Sequence, residues 1–117
     1  MILADIEAKL KEIDPNVYYG MVDENENIVN YNYIVFNRKT ITHNANKTSA
    51  SDYLDVHVVR ENYVPEGMDT AIIKALCELP GVKSAGDCSF LYALKPNTNT
   101  VVEIMTVPFV RARKTDV

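Results

Sequence analysis

A chain of 117 residues, 47% hydrophobic and 24% charged, has the composition of one globular unit with a two-layer core rather than of a disordered segment. Its formal net charge of -4 excludes a surface built to coat nucleic acid or anionic lipid, which takes clustered positive charge. No apolar run approaches the roughly 20 residues that span a bilayer, so no membrane role is expected.

The opening MILADIEAKLKEID lacks the basic start and unbroken apolar stretch of a signal peptide and is expected to belong to the fold. Ile2, Ile6, Leu10 and Ile13 recur at helical spacing, with Glu7, Lys9, Lys11 and Glu12 elsewhere on the wheel. This predicts an amphipathic helix that ends before Asp14-Pro15, because a residue preceding proline disfavours the α region. Val17–Val22 reads as a short strand and Asp23–Asn27 as a polar turn. Tyr31–Ile41, rich in aromatic and β-branched residues, reads as a longer strand. Tyr31, Tyr33 and Val35 share one of its faces, Ile34 and Phe36 the other, so it is expected to be central or covered on both sides.

Thr42–Ser51 (THNANKTSAS) has no bulky apolar side chain to offset its ordering entropy, which predicts a mobile hairpin loop projecting between two long strands. Asn46-Lys47-Thr48 fits the glycosylation pattern, but with no secretion signal expected the match is read as accidental. In the strand Asp52–Arg60, Leu54, Val56 and Val58 face the core while Tyr53, Asp55, His57 and Val59 face the other way. A second helix runs from about Gly67 to Leu79 with a stripe of Met68, Ile72, Leu76 and Leu79, widened by Ile73 and Cys77, and is stopped by Pro80-Gly81. A hairpin closes the chain: Val82–Lys95, a turn at Pro96–Thr100, then Val101–Arg113. Pro108, lacking an N–H, is expected to put that last strand at an edge or to mark a bulge. The order α-β-β-β-α-β-β predicts a single α+β domain, a mainly antiparallel sheet with two helices packed against it.

Chemistry is sparse along this pattern. Asp55 and His57 share a strand face, where a carboxylate could orient an imidazole, but a metal site needs a third ligand and a catalytic site a nucleophile or base that the pattern does not supply. His43 lies in the expected loop, so no metal, cofactor or catalytic set is expected, and an exposed or interface polar pair is the plainer reading. Cys77 and Cys88 form no disulfide framework and read as buried free thiols. The four glycines make no phosphate-binding loop. The seven tyrosines could stack on single-stranded bases, but the acidic balance opposes a nucleic-acid groove and favours core and interface roles. Arg111-Ala-Arg113-Lys114 is either a solvated tail or a contact for an acidic neighbour such as Asp23-Glu24-Asn25-Glu26 of another copy, a head-to-tail arrangement that could close a ring.

An opening amphipathic helix, a strand pair with a long polar loop (YNYIVFNRKTI…YLDVHVVR), the EGMDTAIIKALCELPG helix and a terminal hairpin ending VPFVRARK together resemble the tail-terminator, or tail-completion (minor tail), proteins of long-tailed bacteriophages. The resemblance covers nearly the whole chain and is one of layout, with no short motif to transfer. It implies a non-enzymatic virion protein of the tail, assembled in the bacterial host cytoplasm. Such a protein forms a homo-oligomeric ring, commonly a hexamer, that stops tail-tube growth and offers the tail-side surface for head-tail joining. Its implied partners are further copies of itself, the major tail tube protein and a head-completion or connector protein, with DNA only passing through the channel. On position in the pattern, the contact residues expected are His43, Asn44, Asn46 and Lys47 of the loop, Tyr53, Asp55 and His57 of the strand, and Arg111, Arg113 and Lys114 of the tail. The alternatives are a head-closure or connector adaptor, or a small cytoplasmic enzyme using Asp55 and His57.

Overall fold

The computed structural model describes residues 2–22, 30–45 and 48–114. In chain order these form α1 (Ile2–Lys11), β1 (Val17–Tyr19), β2 (Tyr33–His43), β3 (Ser49–Glu61), α2 (Met68–Leu76), β4 (Val82–Ser84), β5 (Ser89–Leu94) and β6 (Val101–Lys114). The fold is α+β, with two helices and one six-stranded, mostly antiparallel mixed sheet. The sheet runs β1-β2-β3-β6-β4, with β5 also paired to β6, beyond β4 along the same side.

Both helices cover the same sheet face. Ile6 and Leu10 of α1 and Ile72 and Leu76 of α2 are buried against Ile34, Phe36, Leu54, Val56, Val58, Met105, Val107 and Phe109. The alternation read from the sequence places Leu54, Val56 and Val58 in this core as expected, and Ile34 and Phe36 with them. Each fully buried side chain of this size stabilises by roughly 1.5–3 kcal/mol. Asp5 in the first turn of α1 and Lys9 and Lys11 in its last turn complement the helix dipole.

The structure differs from the sequence expectation in several places, each with a local cause. The order is α-β-β-β-α-β-β-β, because the expected strand Val82–Lys95 is two strands, β4 and β5. Pro108 explains the split. It lies in the interior strand β6, not at an edge, and its carbonyl accepts from Ala85 N at 2.9 Å on the β4/β5 side. The N–H and C=O of a strand residue point to the same side, so the donor that proline lacks would also have pointed there. The partner strand is interrupted at that place, between Ser84 and Ser89.

β1 ends at Tyr19, short of the expected Val22, because the chain turns at Gly20 with φ +81°. It pairs with β2 in parallel, so the two strands are not hairpin partners. The polar turn expected at Asp23–Asn27 lies outside the described residues. The expected loop Thr42–Ser51 is strand at both ends: Thr42 pairs with Ser51 and His43 with Ala50, leaving only 44–48 as the connection. The backbone ladder and the third strand, β6, supply there the stabilisation that apolar side chains do not. β2 lies between β1 and β3 as expected, but its Tyr33 and Val35 face is not covered by either helix.

Helix α2 is shorter than the expected span to Leu79. Its last turn passes through Cys77, whose N–H donates to Ile73 O at 2.9 Å, and Leu79, whose N–H donates to Leu76 O at 3.0 Å. Cys77 is exposed at this end and Cys88 half-buried, so neither is the buried thiol expected, and both are free. Gly81 then turns the chain into β4 with φ +79°, and a Cβ there would stand 3.3 Å from Ala112 O.

A buried ion pair ties the end of α1 to the sheet. Arg60 Nη2 meets Asp14 Oδ2 at 2.7 Å, with the side chains only 14% and 7% exposed. Asp14 Oδ1 accepts from Asn16 N, and Arg60 Nη1 donates to the carbonyls of Tyr33 and Val59. Asp14 is therefore not merely a helix stop. Removing one partner of such a pair strands the other charge, so Asp14→Ala is expected to cost roughly 3–5 kcal/mol in urea unfolding. The double replacement Asp14→Leu with Arg60→Met is expected to recover part of that loss. Surface pairs such as Lys11–Glu7 should contribute less than about 1 kcal/mol by the same measurement.

Candidate contact surface

The sheet face away from the helices is the candidate functional surface. Register assembles it in rows across the strands. Tyr33, Val59, Ile104 and Leu91 form one row; Val35, His57, Thr106 and Ser89 form the next; Asn37, Asp55 and Pro108 a third. Val59 and Val102 are buried on this face yet stand outside the core cluster, shielded by their neighbours in the sheet. Tyr33, Val35, Tyr53, Asp55, His57 and Ile104 are half-exposed, and Leu91 is 67% exposed.

A tyrosine cluster caps one end. Tyr18 and Tyr33 meet edge to face with ring centroids 5.8 Å apart, and Tyr31 approaches Tyr33 at 6.4 Å. Burial first, then the neighbouring Tyr31 and Tyr18, raise the Tyr33 hydroxyl above its ordinary pKa, so it stays a neutral donor. Beside it the backbone N–H of Tyr31 donates to Glu61 Oε2 at 3.0 Å, while Lys95 Nζ reaches Glu61 Oε1 at 3.2 Å. The Tyr31 N–H bond holds the Glu61 carboxyl below its usual range, opposed by burial and reinforced by the Lys95 contact.

His57 lies mid-face, and its partners are not the expected one. Nε2 stands 2.9 Å from Asn37 Oδ1 and Nδ1 2.8 Å from Thr106 Oγ1. The Asn37 amide oxygen only accepts, so Nε2 carries the proton and Nδ1 accepts from the Thr106 hydroxyl. The neutral ring is thus fully engaged. Burial lowers its pKa from 6.5, partly opposed by the charge of Asp55, which acts through space. Asp55 does not orient the imidazole, and the pair has no free nitrogen with which to begin general-base chemistry. No group of three or more metal-ligating side chains occurs among the described residues.

The other expected contact residues fall elsewhere. His43 and Asn44 sit exposed at the tip of the β2–β3 hairpin, with Asn44 N donating to Ser49 O at 3.1 Å and its side-chain amide bonded to Ser49 Oγ. Asn46 and Lys47 lie outside the described residues, as does the acidic run Asp23–Glu26. Arg111 and Arg113 belong to β6 and are not a loose tail. Arg113 Nε donates to both carboxylate oxygens of Asp52 at 3.0 and 2.8 Å, and Arg111 lies 3.9 Å from the same carboxylate. Those two cations are thereby turned inward, on the face opposite to His57, while Lys114 ends the strand exposed.

Because the folded His57 pKa lies below its ordinary 6.5, the unfolded chain binds the proton first as pH falls. Its contribution to stability is whole above pH 6.5 and declines as the pH drops from there toward the folded-state value. Urea midpoints measured from pH 7.5 down to about 5 should show this decline, and His57→Gln should flatten it in that window. An unchanged slope in the variant would assign the decline to other groups.

No model of a known protein family matches this chain, and no curated protein matches it.

Proposed function

We propose that this chain is a virion structural protein of the bacteriophage tail, a ring-forming subunit that ends tail-tube growth and provides the tail-side surface for head-tail joining. The observation that carries the reading is the uncovered sheet face. Two helices shield one side of the sheet, while the other keeps tyrosines, valines and Ile104 half-exposed around His57. A contiguous face of this kind suits a surface completed by a neighbour, since aromatic and branched apolar side chains favour burial between subunits. A ring further requires two different complementary surfaces on each subunit, and the helix-free sheet face and the β1 edge are two such unlike surfaces. The engaged ring of His57 supports an architectural role over an enzymatic one.

On this reading the partners are other copies of the chain, the tail tube protein and a connector protein, with DNA only threading the channel. The acidic balance suits that passage, because it avoids tight phosphate contacts. A head-closure adaptor is the second reading, resting on the same uncovered face.

Particles assembled without the protein separate the two in the electron microscope. Overlong, unterminated tails are the outcome expected for a terminator. Tails of normal length beside unjoined heads would move the role to the adaptor. Assembly retained after replacing His57 with Ala would dismiss the catalytic reading, whereas loss of assembly with the fold preserved would fit a contact at this face.

A further inference from the structure

The sheet edge formed by β5 is unlike the protected edges of most soluble domains. Its sequence, SFLYAL, has no charge, no proline and no bulge, and every residue in it is exposed. Phe90 is 47% exposed, Leu91 67%, Tyr92 64% and Leu94 62%. Among the described residues β5 pairs with β6 alone, and register shows which backbone groups remain turned outward. Pro108 O points toward β4 and β5, so the even-numbered residues of β6 do the same by alternation. Leu91, paired with Ile104, and Ala93, paired with Val102, therefore turn their amides toward β6. Phe90, Tyr92 and Leu94 turn theirs away from it, toward the free edge. An unshielded apolar edge of this kind is a template for another strand.

Beside that edge lies a groove of about 320 Å³ between the start of α2 and the helix-side face of β5 and β6. Its walls include the rings of Phe90 and Tyr92 and the carboxylates of Glu66, Asp69 and Glu103, with no cationic side chain. Glu103 is held in place: Oε1 accepts from Val64 N at 2.8 Å, and its bond to the Tyr92 hydroxyl raises that hydroxyl's pKa. Two aromatic faces among carboxylates make a receptacle for a lysine or arginine side chain, whose stem lies on the rings while its charge meets the acids.

We propose that β5 takes an extended segment of a partner protein as an added strand, with a lysine or arginine of that segment entering the Phe90–Tyr92–Glu66–Asp69 groove. Main-chain bonds to Phe90, Tyr92 and Leu94 supply affinity, and the groove supplies the preference for a basic residue at alternate positions. A second copy is a poorer occupant. Two-fold pairing of β5 with itself would set the two acidic grooves side by side on one face of the joined sheet, and the chain's own Arg111 and Arg113 are spent on Asp52. Such a site would serve a basic partner whether or not tail termination is this chain's task.

The test uses the full-length protein and a short fluorescent peptide alternating lysine and valine, with a glutamate–valine peptide as its counterpart. The lysine peptide should bind saturably, weaken with added salt and shift the amide resonances of Phe90, Tyr92 and Leu94. Glu66→Lys with Asp69→Lys should weaken it about tenfold or more, and Tyr92→Lys, which places a charge on the edge, should do likewise. Each variant alters exposed or half-exposed positions, and an unchanged urea midpoint certifies its fold. Failure of the lysine peptide to bind would overturn the proposal, as would equal binding of the glutamate peptide or shifts confined to other strands. Concentration-dependent dimerisation through β5, abolished by Tyr92→Lys and untouched by the peptide, would instead make a second copy the occupant and overturn it.

Discussion

The antiparallel pairing of β3 with β6, thirteen residue pairs from Ser49–Lys114 to Glu61–Val102, is the constraint on which the other elements depend. β6 also carries β4 and β5 on its far side, so the register of this one pair fixes four strands at once. A slip by one residue would send Leu54, Val56 and Val58 to the open face and bring Tyr53, Asp55 and His57 under the helices. The buried row of Met105, Val107 and Phe109 opposes that slip. Joining β3 to β6 also closes a loop of about 40 residues, an entropic cost of roughly 3 kcal/mol in chain closure alone. The core contacts of α2, which lies inside that loop, help to offset it.

Polar contacts then fix what the apolar register leaves free. Asp14 with Arg60 anchors the end of α1 to β3, and Asp52 with Arg111 and Arg113 joins β3 to β6 near the hairpin tip. Glu61 links the backbone ahead of β2 to Lys95 after β5. Such contacts matter most where apolar packing is thin. Along the distal part of β2 every residue from Arg38 to His43 is exposed, and the strand is held there by its ladder to β3, with an irregularity between Arg38 and Thr40.

How much of this could be read from the chain depends on the range of the interaction responsible. The stripes of both helices and the alternation of Ile34 with Phe36 and of Leu54 with Val56 and Val58 are local patterns, and they place the core side chains correctly apart from Cys77, which is exposed just past the end of α2. The division of β4 from β5 was not legible, because its cause, Pro108, sits on a different strand. Arg111 and Arg113 looked like a free tail because Asp52 is remote in sequence and near only through register. The same geometry explains His57. Residues two apart on one strand lie about 6.6 Å apart along it, whereas directly opposed residues on neighbouring strands approach to about 4.5–5.5 Å. Asp55 was its neighbour in sequence, but Thr106 directly opposite and Asn37 on the flanking strand provide its hydrogen bonds.

The unlike edges and faces of the sheet bear on how such a subunit would associate. β1 offers three residues at one edge, while β5 offers six uncharged ones at the other, and the helices cover only one face. Closed two-fold pairing needs one surface that complements itself, whereas a ring needs two surfaces that complement each other. The acidic groove beside β5 works against self-pairing at that edge, since like charges would be brought together. The open face around His57 bears no such excess: Asp55 is its acidic member mid-sheet, and one row of Tyr33, Val59, Ile104 and Leu91 crosses it from β2 to β5. In the ring proposed above, contact between copies would fall on that face rather than on the β5 edge, which the acidic groove suits to a partner of opposite charge.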